Sequence, residues 1–418
     1  MTAPAIWIDA CTSDPKRTLF GMTLLEHLLR SVVTAGIEPP SVEVALSEEG
    51  PVPDVRADLL ERLPVRFDRG SEPVGARVRR ANAASGARPL LVLAASDVVD
   101  PRILAHLAGA PVDLVFFEPD APSRGAAFRL PADAEGPQDA ETSVREVADA
   151  ALARGDLKAF DPADFDPYVR KLRRELAPYL FRVDDEASVA RVERFLFWSN
   201  YKGSTDFMTR YVYPPLVWAM VRPLARRRVH PNWITGINWI ACFGAIPFFA
   251  QAQWVPGLAL AYWMSVLDSV DGKLARLTHT TSKIGDLADH GLDIVHPPFW
   301  YLAWGYALGG GTTAALPYQA ALVNLGLYAA DRIVTAIFRQ RTGTSIHGVT
   351  PLDVRMRTVI SRRNVNLALF TLALAVDAVA GTHVWALAAF YFTIVWQGLS
   401  LLWHTQRLWA FFGVRLRP

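Results

Sequence analysis

The rhythm of apolar and polar positions changes near residue 195. Before it, short apolar runs at 5–8, 41–46, 89–95 and 112–117 alternate with segments of helical period at 24–35, 55–63 and 101–107. That alternation predicts an α/β unit with a mostly parallel, helix-covered sheet. Beyond it the apolar runs lengthen: residues 229–267 and 294–330 contain no Asp, Glu, Lys or Arg, and 365–403 contain only Asp377. Each run is long enough for two spans of roughly 20 residues. QAQWVPG at 251–257, GGGTT at 309–313 and AGTH at 380–383 supply the turns. The pattern therefore predicts three hairpins and an all-α polytopic membrane domain of six transmembrane helices. Two charged helices, 167–182 and 186–197, are expected between the halves. The expected organisation is a soluble α/β domain at 1–165, a helical linker at 166–205 and a membrane domain at 206–418.

Composition agrees with a lipid-embedded half. Of 418 residues, 51% are hydrophobic and 20% charged, and mean hydropathy is +0.17; this excludes a disordered chain. A formal charge of +2, from 43 basic against 41 acidic residues, leaves no polycation for nucleic acid. The positive charges are unevenly placed. The three turns carry none, whereas the connecting segments hold Arg226–Arg228, Lys273, Arg276, Arg339, Arg341, Arg362, Arg363 and Arg407. Positive-inside bias puts those segments and both termini on the cytoplasmic side of an inner membrane. Residues 207–228 mix aromatics with arginines and read as an amphipathic helix lying in the interface. The N-terminus lacks the pattern of a signal peptide. Cys11 and Cys242 are too few and too separated for a disulfide framework or a thiolate zinc site.

Candidate chemistry concentrates in DSVDGKLARLTHTTSKIGDLADHGLD, residues 268–293. At about 100° per residue, Asp268, Asp271, Gly272 and Ala275 share one helical face, and Gly285, Asp289 and Asp293 stack on the next helix. Four carboxylates at membrane depth repel one another and lose hydration, so a counter-charge is required. Oxygen-only clusters suit hard divalent cations, and two metals about 3.5–4 Å apart would use this many carboxylates. Two Mg2+ or Mn2+ ions are expected. The small residues leave room for a ligand to approach the backbone, and Arg276 offers a cation for phosphate.

The stretch resembles the signature D-x2-D-G-x2-A-R-x8-G-x3-D-x3-D of the CDP-alcohol phosphatidyltransferase family, filled by Asp268, Asp271, Gly272, Ala275, Arg276, Gly285, Asp289 and Asp293. The resemblance implies a six-helix membrane enzyme of phospholipid synthesis whose aspartates hold two metals on the pyrophosphate of a CDP-linked donor. It implies that Asp293 removes the acceptor's hydroxyl proton, that CMP leaves, and that the enzyme forms a homodimer. Pro231-Asn232-Trp233-Ile234-Thr235 is similar to the family's Pro-Asn-x-x-Thr segment, making Asn232 and Thr235 candidate nucleotide contacts; both are also reasonable helix-capping residues. In the arginine-rich segment 338–364, Arg362 and Arg363 are candidate contacts to a lipid or polar alcohol acceptor. Asp331 and Arg332 read equally as a local ion pair. Asp289-His290-Gly291-Leu292-Asp293 is similar to the D-H-G-x-D variant of choline and ethanolamine phosphotransferases, so a CDP-amino alcohol donor with a diacylglycerol acceptor is the alternative. A cation-coupled transporter and an inactive scaffold are competing classes.

The soluble half resembles the sugar-phosphate nucleotidyltransferase fold at residues 21–37 and 90–100. Its chemistry departs from that family. No glycine precedes Gly21 in the loop after the first strand, where backbone amides would hold a triphosphate. Asp97 stands where the family places a metal-binding acid. A degenerate, structural or regulatory domain is the expectation.

Overall fold

The computed structural model describes residues 3–110, 113–116, 125–132, 141–160, 165–169, 172, 174–281 and 283–413; side chains at 283, 284, 286, 288–290 and 293 are outside the description. The chain opens with β1 (Ala5–Asp9), whose AIWID run is buried at every position. Such a strand belongs in the middle of a sheet covered on both faces. A hairpin of β2 (Thr18–Leu19) and β3 (Met22–Thr23) leads into α1 (Leu24–Thr34), capped by the Thr23 hydroxyl, which accepts from the Glu26 N–H. Then come β4 (Val42–Leu46), α2 (Ala57–Arg62), β5 (Val65–Arg69), α3 (Val74–Ala84), β6 (Leu90–Ala94), β7 (Asp97–Val99) and α4 (Pro101–Gly109). β8 (Leu114–Phe116), β9 (Ala127–Leu130), α5 (Val144–Arg154) and β10 (Lys158–Ala159) complete the domain.

Seven strands form one sheet in the order β10-β8-β9-β6-β1-β4-β5. β1 runs parallel to β4 and β6, β4 to β5 and β8 to β10, while β9 runs against β6 and β8. The mostly parallel sheet expected from the sequence is present. β5, whose VRFDR sequence alternates charge with apolar residues, is the edge strand beside β4 and is only partly covered.

The linker departs from expectation. Residues 167–182 are not a helix but β11 (Tyr168–Val169) and β12 (Arg174–Glu175), paired with each other, and β13 (Leu180–Arg182), paired with β7. Pro178 removes a helix donor, and the Tyr-Leu-Phe run after it completes the open side of β7. The second expected helix forms as α6 (Glu186–Ser199), started by a reciprocal capping box between Asp185 and Ser188.

Residues 207–228 are likewise not one helix. A π-turn at Met208–Val212 is followed by α7 (Pro214–Arg226), which restarts at Pro214. α7 buries Pro214, Val217, Val221 and Ala225 at three- and four-residue spacing, while its Leu216 and Tyr211 of the π-turn are 55% and 59% exposed. The long helices follow: α8 (Pro231–Ala250), α9 (Trp254–Leu277), α10 (Lys283–Leu308) and α11 (Leu316–Thr342). After a 3-10 turn at Ile346–Gly348 come α12 (Pro351–Val359), α13 (Arg363–Ala380) and α14 (Val384–Ala410). All three expected turns lie between long helices. Among the described residues, four segments are long and apolar enough to cross a membrane: Pro231–Ala250, Leu316–Thr342, Pro351–Ala380 and Val384–Ala410. α9 and α10 are outside that group, one end of each being loaded with charge.

Two buried acids serve the helices themselves. Asp377, at the end of α13, accepts from the backbone N–H groups of Trp385 and Ala386 and so caps α14 across the turn. Asp331 in α11 meets Nδ1 of His404 in α14 at 2.5 Å and its neighbour Arg332 at 2.6 Å. The local-pair reading of Asp331 and Arg332 therefore stands, extended by a histidine.

The two halves share an apolar core. Leu19, Phe20 and Met22 from the hairpin pack with Val192 and Leu196 of α6, Val217 and Val221 of α7, and Val270 and Leu274 of α9. At the hairpin tip Gly21 has φ +77°, and a Cβ there would lie 2.6 Å from the Ala225 carbonyl oxygen and 2.7 Å from the Arg226 Cα. Glu193, 1% exposed, accepts from the Phe20 N–H at 3.2 Å and pairs with Arg222 at 2.9 Å. Arg228 donates to the Gly21 carbonyl at 2.8 Å and reaches Glu26 and Asp54. Gly21→Ala combines a forbidden backbone conformation with a clash against fixed backbone. It is expected to cost about 1–3 kcal/mol, read as a lowered thermal midpoint in detergent; an unchanged midpoint would contradict this docking.

Candidate active site

The acid pair of α9, Asp268 and Asp271, lies within its last three turns. Asp271 is 3% exposed. Its Oδ1 accepts from the Gly272 N–H at 2.6 Å, and its Oδ2 accepts from the Thr235 hydroxyl at 2.8 Å. Thr235 reaches it because α8 starts at Pro231, whose fixed φ suits a first helical position; one turn later Thr235 is buried against α9. The cap of α8 is His230, whose Nδ1 accepts from the Asn232 N–H at 3.2 Å. Of the two candidates in this segment, Thr235 thus touches a signature acid and Asn232 is exposed at the helix start.

Asp268, one turn before Asp271, pairs with Arg363 of α13 at 3.2 Å. The same guanidinium places Nη1 3.3 Å from Nε2 of His296 in α10 and donates from Nε to Asn364 at 3.1 Å. A guanidinium can only donate, so Nε2 of His296 accepts and its Nδ1–H donates to the Leu292 carbonyl at 2.6 Å. One side chain therefore spans α9, α10 and α13. His296 is fully buried and lies three residues beyond Asp293. Gly285, Asp289 and Asp293 lie at four-residue spacing on the continuous helix α10; the side chains of Asp289 and Asp293 are outside the described residues. α8 packs against both α9 and α10.

Arg276 folds back over the helix: a Cβ on Gly272 would lie 3.2 Å from its Nη1. The space left by Gly272 thus opens onto a cation. Ala275 and Gly285 are half-buried. Arg362 is the N-cap residue of α13, beside Arg363. Asn364 donates to Asp206 at 3.2 Å, and Asp206 also accepts from the Thr209 hydroxyl at 2.9 Å, tying α13 to the π-turn. His296, Asp206 and Asn364 were not singled out in the sequence. His296 alone carried a signal, since it continues the Asp289–Asp293 face by one further turn.

Among the described residues no three His, Cys, Asp or Glu side chains converge as a metal site. The described part of the donor set is nevertheless oxygen-only, with Asp268 and Asp271 one turn apart, and it fits a hard divalent cation.

In the N-terminal α/β domain the two acids nearest the positions singled out from the sequence, Asp9 and Asp97, are both buried. Asp9, 1% exposed, accepts from the Cys11 N–H at 2.9 Å and the Thr12 hydroxyl at 2.8 Å, so the loop after β1 folds onto its own acid. Asp97 is 2% exposed and accepts from the Ala126 N–H at 3.2 Å, and a Cβ on Gly125 would overlap its carboxylate. Burial pushes the Asp97 carboxyl up to about 8, against the nearby Arg182 guanidinium and the Ala126 N–H, which pull it down.

Residues 228–411 match the family model described as CDP-alcohol phosphatidyltransferase. An uncharacterised CDP-alcohol phosphatidyltransferase class-I family protein of Schizosaccharomyces pombe is 29% identical over 118 residues, covering 24% of this chain and 30% of that protein. The bifunctional IPC transferase and DIPP synthase of Thermococcus kodakarensis is 28% identical over 144 residues, 31% of this chain and 33% of its own. Cholinephosphotransferase 1 of Gallus gallus is 29% identical over 167 residues, 37% and 45% respectively. The chain thus spans 45% or less of the length of these curated relatives.

Asp97 gives a pH test of its burial. Its folded carboxyl holds a proton up to about pH 8, whereas unfolded Asp releases it near 3.8. The unfolded state then binds fewer protons between those values, so stability falls as pH rises from about 4 to about 8 and levels off above. Asp97→Asn is expected to flatten that slope and raise the unfolding midpoint relative to wild type, more at pH 9 than at pH 5. Equal midpoints at both pH values would refute the protonated, buried carboxyl.

Proposed function

With residues 228–411 a domain of the CDP-alcohol phosphatidyltransferase family, we propose that the chain is a membrane phosphotransferase of phospholipid biosynthesis. It moves a phosphoryl-alcohol group from a CDP-linked donor to an acceptor hydroxyl and releases CMP. The observation that carries this reading is the junction at Arg363, where one guanidinium lies against both Asp268 of α9 and His296 of α10. It supports a meeting of the two acid-bearing faces, because His296 follows Asp293 by less than one turn.

In this reading Asp268, Asp271, Asp289 and Asp293 hold two Mg2+ or Mn2+ ions. When bound, such ions supply Lewis-acid charge to the pyrophosphate oxygens. Thr235 aims the Asp271 carboxylate. Asn232, Gly272, Ala275, Arg276 and Gly285 line the nucleotide, with the Arg276 guanidinium over Gly272 facing phosphate charge. Asp293 takes the acceptor's proton as the hydroxyl oxygen attacks the β-phosphorus. A P–O bond to the acceptor forms, the phosphoanhydride breaks, and CMP leaves with the bridging oxygen. Arg362 and Arg363 face the acceptor, and Arg363 also neutralises Asp268.

α8–α11, α13 and α14 make six spans, α7 lies in the interface, and the acids and both chain termini face the cytoplasm across an inner membrane. The chain works as a homodimer. A CDP-amino alcohol donor with a diacylglycerol acceptor is the second reading, favoured by Asp289-His290-Gly291-Leu292-Asp293 and by the likeness to cholinephosphotransferase 1.

Purified protein in micelles with Mg2+ should release CMP from one member of a panel of CDP-diacylglycerol and CDP-amino alcohols. Asp293→Asn should reduce kcat by about 10²–10⁴-fold, and a chelator should abolish turnover. No CMP from any donor, with intact folding, would overturn the proposal.

A further inference from the structure

α9 carries a buried lysine that the acid face does not use. Lys273 lies two residues beyond Asp271, about 200° around the helix, and so points away from the acids. It is 2% exposed. Its Nζ donates to the Phe197 carbonyl at 2.6 Å and lies 4.2 Å from the Phe197 ring centroid and 3.0 Å from that of Tyr201.

Phe197 stands in the last turn of α6, where carbonyls lack intrahelical donors. The flanking carbonyls are supplied from beyond the helix: Leu196 accepts from the Asn200 N–H and Trp198 from the Tyr201 N–H. Phe197 receives the lysine instead. The buried Lys273 amine thus closes the C-terminal end of α6 between two aromatic faces. One turn earlier on α6, Glu193 accepts from the Phe20 N–H of the soluble domain's hairpin. A continuous set of contacts runs from that hairpin, through one turn of α6, to the turn of α9 that bears Asp271, Gly272 and Arg276.

We propose that Lys273 is a positioning residue: by fixing the end of α6 against α9, it lets the soluble domain hold the Asp271 turn in the geometry the divalent ions require. The inference rests on the reading of the signature acids as metal ligands. It gives the soluble domain a role that needs no chemistry of its own, namely a rigid brace for one wall of the site.

Mn2+ binding to the full-length protein in micelles, followed by the resonance of the free ion, tests this without turnover. Wild type and Lys273→Arg are expected to bind within about threefold of each other, because a guanidinium can still donate to the Phe197 carbonyl. Lys273→Met, which keeps the stem and loses the donor, is expected to bind at least tenfold more weakly. The Mg2+ concentration for half-maximal CMP release should rise in proportion, while the donor KM at saturating Mg2+ moves less. Tyr201→Leu leaves the amine on its carbonyl and should shift Mn2+ affinity the same way by a smaller factor; it decides the matter if Lys273→Met does not fold. Unchanged Mn2+ affinity in folded Lys273→Met, or in Tyr201→Leu where that variant does not fold, overturns the proposal. Failure of Lys273→Arg to restore binding, with equally lowered unfolding midpoints in both lysine variants, marks a merely structural residue and also overturns it. Absence of Mn2+ binding by wild type overturns the metal-ligand reading and the brace with it.

Discussion

Negative charge at the end of a helix bundle has to be compensated, and the Arg363 guanidinium is where this protein does it most visibly. Taking an isolated carboxylate out of water costs far more than a fold can spare, and a paired, hydrogen-bonded one is tolerated. Asp268 at 3.2 Å, His296 at 3.3 Å and Asn364 at 3.1 Å fill three directions of one planar donor. Much of the surrounding architecture follows. α13 must begin beside α9 and α10, so the arginine-rich segment has to return there, and its cap residue Arg362 is extended, with φ −141°. Asn364 in turn holds Asp206, fixing the π-turn that precedes α7. The break in the expected interfacial helix at 208–214 is therefore enforced from across the bundle as well as by Pro214.

The N-terminal α/β domain has a mostly parallel sheet, and its first loops pack against the helical half of the chain. In a phosphate-binding loop, glycines let backbone amides turn toward the ligand. Here the loop after β1 satisfies Asp9 from within, and its one glycine is displaced to the hairpin tip, where φ +77° lets the backbone press against α7. Glycine's freedom is used for protein–protein contact inside one chain. The buried Glu193 follows from that contact, since the Phe20 N–H and the arginines of α7 both need an acceptor.

Legibility tracked the physical scale of each signal. The three long apolar runs and their turns became long helices because lipid allows no compromise on length or backbone satisfaction. The central strands were equally plain, as continuous apolar runs can only be buried. β5 was missed because an edge strand alternates charge and apolar residues, and 167–182 was misread because its charge hid the Pro178 break and the short strand after it. Within the site, Thr235 was read as a nucleotide contact or a cap, and its hydroxyl bond to Asp271 was not foreseen, because it depends on α8 packing against α9. Lys273 was counted only as a positive charge. Its role depends on α6 arriving from another part of the chain, which no local spacing encodes.

Position along the helix separates the acids of the membrane half. Asp377 donates its charge to the N-terminus of α14, Asp353 completes the capping box of α12 and meets Arg407, and Asp331 clamps α11 to α14 through His404. Each sits where a carboxylate lowers the energy of a helix end or a helix pair. Asp268 and Asp271 sit one turn apart within the last three turns of α9, away from any helix start that a carboxylate could cap. Asp271 accepts from Gly272 and Thr235, and Asp268 pairs with Arg363 across the bundle. Two carboxylates one turn apart, beside a glycine that leaves room for a ligand, are costly at membrane depth without a counter-charge, which is the physical ground for the proposal that they serve a cation rather than a helix end.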